Sequence, residues 1–421
     1  LSRRQRQMCI RDRMYALGDG FEYRVIVFSS EEKAKQAYEE YKMLEENTFL
    51  YPAKDLLFYH ADIKGAALTG KRMEVLKKLT EKKNREPVTV ITTADAFLDG
   101  LPSKEKLWES RIEIEAGAVI DFQKLQEELV HLGYERESQI EGPGQFAVRG
   151  GILDVYPLTE EIPVRIELWG DEIDSIRSFD VESQRSVENM EQVVIYPATE
   201  NVEKEEQAVS FAEYFPKEKS LFFFDEPVRL QETLEAVEKE YFHSFESRKN
   251  AGMTEEADEI RVFQTKEIIE KFNTRYGIGL TTLETRCGGF KVRDVYSIQA
   301  AGVNPYNNSF EMLTQDLKKL KRQGYRVILV SGSRTRAKRL AEDLRDYDLS
   351  SFYSEDMVRT VRPGEIMVVY GCVAEGYEYP MLKFMVISES DIFGKRKKKR
   401  RRKVYEGQKI QEFAELKPGD Y

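Results

Sequence analysis

The strongest constraint on the fold is a block of alternating residues that interrupts a strand–helix pattern. Residues 142–180 read GPGQFAVRGGILDVYPLTEEIPVRIELWGDEIDSIRSFD. Within Pro163–Trp169, apolar residues alternate with polar ones, which is the period of a strand with one buried and one open face. Arg165, Glu167 and Trp169 fall on the open face. The block therefore predicts a small antiparallel sheet with one dry face and one face available to a partner.

Glycines set the turns of this predicted sheet. Gly150-Gly151 interrupts the alternation directly after Arg149, where we expect a β-bulge. Gly170-Asp171 is typical of a tight turn into a further strand, Ile173–Phe179.

Three residues of this block are candidates for an interface: Arg149, Arg165 and Trp169. Arginine and tryptophan are enriched among interface hot spots. The alternative is a surface arginine paired with Glu167 or Glu172 and a tryptophan partly covered by a neighbouring domain.

Strand–helix alternation precedes this block and resumes after it. A pattern that is broken and then resumed indicates one domain inserted in another. The predicted class is α/β: a bipartite α/β domain, a small α+β domain inserted in it, and a further α/β domain. The predicted boundaries are 1–13 for a non-native tail, 14–117 and 203–300 for the bipartite domain, 118–202 for the insertion, 301–394 for the third domain, and 395–421 for a basic linker with the start of another domain.

Charge is distributed unevenly along the chain. Nine consecutive basic residues form one run, and removing them takes the formal net charge from −10 to −19. The acidic remainder argues against a protein that wraps nucleic acid broadly. The run is either a solvated linker or a sequence-independent contact to the phosphates of double-stranded DNA. Its residues are Lys395, Arg396, Lys397, Lys398, Lys399, Arg400, Arg401, Arg402 and Lys403.

Three stretches resemble ligand-binding motifs only in part. Gly65–Arg72 matches the phosphate-loop pattern except at its last position, where Arg72 replaces the hydroxyl residue that binds magnesium, and we expect a plain loop that enters a helix. Leu221–Glu226 is typical of a strand that ends in magnesium-binding acids, but such acids need a phosphate loop opposite them. Ser331–Arg334 opens a helix after a strand, and we expect a simple cap at Ser333 there. We therefore expect no catalytic residue and no cofactor-binding residue.

Metal and membrane sites are not indicated either. The three cysteines and three histidines are widely separated, which predicts neither a disulfide framework nor a metal site. No stretch approaches the ~20 apolar residues that a bilayer-spanning helix needs. We expect a cytoplasmic protein with no membrane partner.

Longer motifs carry a family resemblance. RGGILDVYP, ELWGDEIDSIRSFD and VVIYPATE together resemble the UvrB-type proteins of bacterial nucleotide excision repair, and within them the N-terminal part of the transcription-repair coupling factors. The resemblance covers about residues 23–421. It implies that the bipartite domain is UvrB-like and that the inserted domain binds UvrA through Arg149, Arg165 and Trp169. It also implies that ELKPGDY begins a domain that binds RNA polymerase.

The resemblance implies a division of labour as well. The ATP- and magnesium-dependent motor of such proteins, which translocates on DNA and displaces stalled polymerase, is expected to lie outside these 421 residues. This chain would then be a non-enzymatic adaptor that recruits UvrA. Two alternatives stay open: a UvrB-like ATPase that loads onto damaged DNA, and a module that binds DNA without sequence preference.

Overall fold

The computed structural model describes most of the chain as two compact units, one ending at residue 296 and the other beginning at residue 297. The described residues are 14, 17–42, 45–54, 65–81, 86–200, 207–250, 262–282, 287–356, 359–371, 373 and 375–394. Helices and several sheets alternate in both units, so the predicted α/β class is confirmed. Within these ranges, no helix has both the length and the apolar character that a membrane span requires.

The first unit carries helices before, beside and after the inserted sheet. The helices are α1 (Glu31–Lys42), α2 (Gly65–Thr80), α3 (Lys104–Glu109), α4 (Phe122–His131), α5 (Pro227–Asn250) and α6 (Thr265–Asn273). The strands are β1 (Tyr23–Phe28), β2 (Thr48–Tyr51), β3 (Val88–Thr93), β4 (Gly100–Leu101), β5 (Ile112–Glu115), β6 (Glu135–Glu137), β7 (Gln145–Arg149), β8 (Ile152–Val155), β9 (Val164–Trp169), β10 (Glu172–Phe179), β11 (Ser186–Met190), β12 (Gln192–Ile195), β13 (Val209–Ser210), β14 (Ser220–Asp225) and β15 (Tyr276–Leu280).

A five-stranded parallel sheet forms the body of this unit, in the order β2-β3-β1-β14-β15. Its inner strands are rich in apolar and β-branched residues, and every residue of β3 and β14 is buried. Such runs are typical of parallel sheets that are covered on both faces. One face packs with Leu76 of α2 and Leu234 of α5, and the other packs with Ala37 of α1.

A second sheet, in the order β11-β10-β9-β8-β7-β6, lies between β5 and β12 in the chain. Its core face carries Phe146, Val164 and Ile166, which pack with Leu125 and Leu129 of α4. The alternation in β9 thus has the predicted effect, because every second side chain points into this core. The opposite face carries the three candidate interface residues by the same alternation.

The expectation of a β-bulge at Gly150-Gly151 is wrong. The two glycines form the turn of a two-residue hairpin, since Arg149 pairs directly with Ile152 across it. Gly150 has φ +62°, which glycine adopts without the steric penalty of a Cβ atom. The turn expected at Gly170-Asp171 is confirmed as a second hairpin, with Gly170 at φ +64°.

The second unit is a three-helix, six-stranded α/β unit in the part that the structure describes. Its helices are α7 (Phe310–Arg322), α8 (Arg334–Arg345) and α9 (Glu389–Phe393), and its strands are β16 (Ala301–Gly302), β17 (Arg326–Ser331), β18 (Ser351–Ser354), β19 (Ile366–Tyr370), β20 (Tyr377–Tyr379) and β21 (Phe384–Ser388). The sheet order is β16-β20-β21-β17-β19-β18. The parallel strands β18-β19-β17-β21 therefore repeat the order of β2-β3-β1-β14, although the sequence shows no internal repeat.

Candidate protein-docking surface

Three neighbouring strands bring two of the predicted site residues onto one carboxylate. Asp154 of β8 is paired in register with Arg165 of β9, and Arg149 of β7 lies diagonally across from it. Arg165 donates from Nε to Asp154 Oδ1 at 2.6 Å and from Nη2 to Oδ2 at 2.9 Å. Arg149 donates from Nη2 to the same Oδ2 at 2.7 Å. The hairpin and the register thus join Arg149 and Arg165 through a single acid.

Arg165 is less exposed than its position on the open face suggested. Its side chain keeps only 15% of its accessible surface and lies over the ring of Phe179, with 4.3 Å between the guanidinium carbon and the ring centroid. Nη2 also donates to Gln184 Oε1 at 2.8 Å. Hydrogen bonding to Asp154 raises the pKa of Arg165. Arg149 is different, since its side chain is 48% exposed.

Trp169 ends β9 and is 83% exposed. It pairs in register with Glu172 across the Gly170-Asp171 turn. It lies four positions beyond Arg165 along the strand, which is ~13 Å at the usual rise of an extended chain. Exposure of so large an apolar side chain has an energetic cost in water, and a binding partner would remove it.

Sequence reasoning missed a third arginine on this face. Arg177 of β10 lies opposite Arg165 in the register and forms an ion pair with Glu167. A register shift between Ile173 and Ser175 changes the alternation of β10, and both Ile173 and Ile176 reach the core. Strict alternation would have put Ile173 and Arg177 on the same face, so the pattern alone hid Arg177.

The acid beneath the arginines was also missed, although a signal for it exists. Asp154 lies in the apolar run ILDV and is 1% exposed. A carboxylate at a buried strand position needs a partner of opposite charge, so its presence there predicts an ion pair. Spacing along the chain suggested Glu167 or Glu172 as the partner of a surface arginine. The structure pairs Arg165 with Asp154, and Glu167 with Arg177.

The segment that resembles a phosphate loop is helical throughout. α2 begins at Gly65, so Gly65–Arg72 is not a loop that enters a helix, as we expected, but the helix itself. Arg72 has no accessible surface. A fully buried arginine at this position is a structural residue, and the motif match is fortuitous.

Partners from several segments surround Arg72. Its Nε donates to both carboxylate oxygens of Glu200 at 2.9 Å, and Nη1 donates to the carbonyl oxygen of Pro52 at 2.8 Å. Nη2 forms an ion pair with Asp99, and the guanidinium lies 4.3 Å from the ring centroid of Tyr51. The cluster ties α2 to the chain that leaves the inserted sheet at Glu200.

The acids that end β14 have partners within the protein. Asp225 is 3% exposed and accepts a hydrogen bond from Lys33 Nζ at 2.6 Å. Glu226 accepts from the backbone N–H of Thr282 at 3.1 Å and from its hydroxyl. Lys33 lies in the first turn of α1, which follows β1. The ion pair therefore links the carboxyl ends of β1 and β14. This is the position where parallel sheets of this kind usually hold ligands.

The second sheet has an ion pair at the matching position. Glu389, which follows β21, accepts from Ser331 Oγ at 3.1 Å and from the backbone N–H of Gly332 at 2.6 Å, and it pairs with Arg336 of α8. Ser333 is the N-cap residue of α8, as expected, but its side chain makes no capping hydrogen bond. The anion-binding end of α8 is instead filled by an internal carboxylate.

The basic run Lys395–Lys403 lies outside the described residues. Among the residues that the structure does describe, no group of three or more His, Cys, Asp or Glu side chains is arranged to hold a metal ion. The roles of the candidate site residues stay predictions.

The sheet that carries Arg149, Arg165 and Trp169 matches a known family. Residues 112–201 match the model of the UvrB interaction domain. The matched range begins at β5 and ends after β12, so it takes in the whole six-stranded sheet and α4.

Similarity to curated proteins extends over nearly the whole chain. A transcription-repair-coupling factor of Bacillus subtilis is 25% identical over 89% of this chain, and one of Staphylococcus aureus is 27% identical over the same share. The chain is similar in sequence to transcription-repair-coupling factors. The resemblance predicted from RGGILDVYP and ELWGDEIDSIRSFD is therefore confirmed. The chain spans about a third of the length of these transcription-repair-coupling factors, 36% in each case.

Proposed function

We propose that this chain is the adaptor part of a transcription-repair-coupling factor and that it recruits UvrA. The observation that carries the proposal is that the family match and the candidate residues fall in the same part of the chain. The range that matches the UvrB interaction domain is the range whose sheet gathers Arg149 and Arg165 on Asp154 and exposes Trp169. We define the docking face as the side chains of Arg149, Arg165, Trp169 and Arg177 on that side of the sheet.

The chemistry of the docking face favours a partner with acidic groups and an apolar recess. Its three arginines lie beside two paired acids, Asp154 and Glu167, and a third acid, Glu172, lies opposite Trp169, so open guanidinium donors and not a net charge would carry the recognition. Arginine offers planar, bidentate hydrogen bonds to carboxylates. Trp169 supplies the large apolar area that interface hot spots commonly use.

Substitution of the arginines tests the proposal. We expect Arg149→Ala with Arg165→Ala to weaken UvrA binding at least about thirtyfold, since loss of even one hot-spot side chain costs ~2 kcal/mol or more. Trp169→Ala should weaken it as well, and Trp169→Phe should retain most of the affinity. Isothermal titration calorimetry with purified UvrA measures each variant.

A control on the same sheet makes the result specific. Arg136 of β6 is exposed and pairs in register with Phe146, so it belongs to the opposite face. Arg136→Ala should bind UvrA as the unchanged chain does. Equal affinity of the double variant and the unchanged chain, with both folded, would remove the docking face from the proposal.

The activity of a complete coupling factor extends the proposal. In it, this chain would connect UvrA to RNA polymerase stalled at a lesion, while an ATP-dependent translocase in the same polypeptide displaces the polymerase. The residues from ELKPGDY onward would contribute to polymerase binding. Restoration of strand-specific repair by a coupling factor that carries this chain in place of its own matching third would support this role.

The ATPase alternative is less favoured. We propose that this chain needs no nucleotide of its own, and two features support that view: Lys33 pairs with Asp225 where a phosphate group would lie, and Arg72 is buried. Steady ATP turnover by the purified chain that is abolished by Asp225→Asn would favour the ATPase instead.

A further inference from the structure

The carboxylate of Asp154 contacts both arginines of the docking face. We propose that Asp154, assisted by Gln184, is a positioning residue that holds Arg149 and Arg165 in the geometry in which they receive an acidic partner. This inference rests on the proposed UvrA docking. It concerns a residue that the partner does not reach, because Asp154 is 1% exposed.

The hydrogen bonds leave a defined part of each guanidinium open. Asp154 Oδ1 accepts from Nε of Arg165, and Oδ2 accepts from Nη2 of both arginines. Gln184 Oε1 accepts the second hydrogen of Arg165 Nη2. Among the described residues, Nη1 of either arginine has no hydrogen-bond partner. Arg165 therefore keeps only Nη1 for a carboxylate of a partner, whereas Arg149 keeps Nε, Nη1 and the second hydrogen of Nη2.

Holding these side chains before binding should raise affinity. An arginine has many rotamers, and immobilising one such side chain lowers the affinity of an association by a factor of roughly 2–12. Asp154 restrains two of them at once, and the stacking of Arg165 on Phe179 adds a third restraint. We expect the restraint of both side chains together to strengthen binding roughly tenfold.

The negative charge of Asp154 should weaken the attraction of an acidic partner, whereas its positioning of the arginines should strengthen binding. The two effects can therefore be measured separately. A buried acid lowers the positive potential of the docking face, so its neutralisation should speed the encounter with an acidic partner. Loss of positioning should instead speed dissociation. Asp154→Asn is therefore expected to leave the association rate equal or higher and to raise the dissociation rate about tenfold. A general loss of folding would lower the amount of competent protein without changing the dissociation rate.

A double-mutant cycle on the full chain tests the proposal, with UvrA as the probe and biolayer interferometry as the measurement. The four proteins are the unchanged chain, Asp154→Asn, the Arg149→Ala and Arg165→Ala double variant, and the triple variant. If Asp154 acts through the arginines, its substitution has no further effect once they are gone. The expected result is a tenfold effect in the unchanged background and none in the double variant.

Each other outcome overturns the proposal. An unchanged dissociation rate in Asp154→Asn, or an equal loss in both backgrounds, contradicts positioning while the arginines still account for docking. No measurable binding by the unchanged chain contradicts the proposed function itself and this inference with it. The two failures are distinguished by the first and third proteins alone.

Gln184 keeps the test valid if Asp154→Asn does not fold. Gln184 is half-buried and outside the strands, so Gln184→Ala should leave the melting temperature unchanged. It should raise the dissociation rate about twofold to fivefold in the unchanged background and not at all in Arg165→Ala. A dissociation rate equal to that of the unchanged chain would count against positioning.

Discussion

At the scale of single residues, this protein uses buried charge to join segments that are distant in sequence. Arg72 of α2 contacts Asp99 and Glu200, which lie 27 and 128 residues further along the chain. Burial alone would raise the pKa of Glu200, but Arg72 and Lys54 outweigh that effect and lower it. Glu200 is therefore held charged in the interior. Removal of one partner from such a buried ion pair strongly destabilises the fold, because the remaining charge then lacks its partner.

Removal of the arginine from this cluster should show that cost. We expect Arg72→Met to lower the free energy of unfolding by about 3–5 kcal/mol, since two carboxylates would be left without the arginine in the core. Urea denaturation followed by circular dichroism measures it. Lys71→Met, at an exposed position of the same helix, is the control and should change stability by less than about 0.5 kcal/mol. A small effect of Arg72→Met would mean that the cluster is hydrated.

The same cluster should also respond to pH. The folded-state pKa of Glu200 lies below the ordinary value of 4.5, so its contribution is present above pH 4.5 and is lost as the pH falls through the lowered value. The stability difference between the unchanged chain and Glu200→Gln should therefore be largest near neutral pH and shrink below pH 4.5. A difference that does not vary with pH would contradict this assignment.

At the scale of elements, turns decide which side chains share the docking face. The Gly150-Gly151 hairpin sets the register between β7 and β8, and that register places Arg149 diagonally across from Asp154. A slip of one residue would send every side chain of the strand to the other face. The register shift in β10 adds a side chain to this face. It places Arg177 on the docking face, whereas strict alternation would place it on the core face.

The hairpin at Gly150-Gly151 allows the effect of backbone strain to be measured alone. Gly150 has φ +62°, and a Cβ atom added there would meet no other atom within 4 Å, so any effect of Gly150→Ala comes from the backbone conformation. We expect a loss of about 1–2 kcal/mol in the free energy of unfolding, measured by urea denaturation. Gly142→Ala is the matched control, since its surroundings are equally open and its φ lies outside the positive range. Equal denaturation midpoints for the two variants would show that the turn tolerates a side chain.

At the scale of the whole molecule, two sheets share a strand order, and each has an internal ion pair at the same edge. Lys33 with Asp225, and Arg336 with Glu389, each join the helix after the first strand to an acid after the fourth. Both pairs occupy the sheet edge where related topologies bind ligands. In both sheets this position is therefore occupied by an internal ion pair.

The uneven charge of the whole chain makes a separate prediction. With a net charge of −19 outside the basic run, DNA should be attracted only to Lys395–Lys403. We expect binding to duplex DNA without sequence preference, with a slope of log affinity against log salt as steep as about −8 if all nine residues contact phosphates. Deletion of residues 395–403 should abolish it in fluorescence anisotropy. Retained affinity and slope after deletion would place the contact elsewhere.

Periodicity and long motifs in the sequence were enough to predict the α/β class, the separate and mainly antiparallel sheet, and the similarity to transcription-repair-coupling factors. These are properties of local pattern, because alternation and apolar runs report which face of an element is buried. They also selected Arg149, Arg165 and Trp169 as candidate interface residues, and that role stays a prediction. They could not show that Arg165 lies largely covered over Phe179, or that Gly65–Arg72 is a helix around a buried arginine.

Only the tertiary structure decided how these residues are joined. The shared acid Asp154, the third arginine Arg177 and the partners of Arg72 depend on register, on one strand irregularity and on contacts between distant segments. None of these leaves a periodic trace in the sequence, since a hydrogen bond across strands is set by the turn that aligns them. Arg149 and Arg165 could be chosen from the chain alone, and their common attachment to Asp154 required the fold.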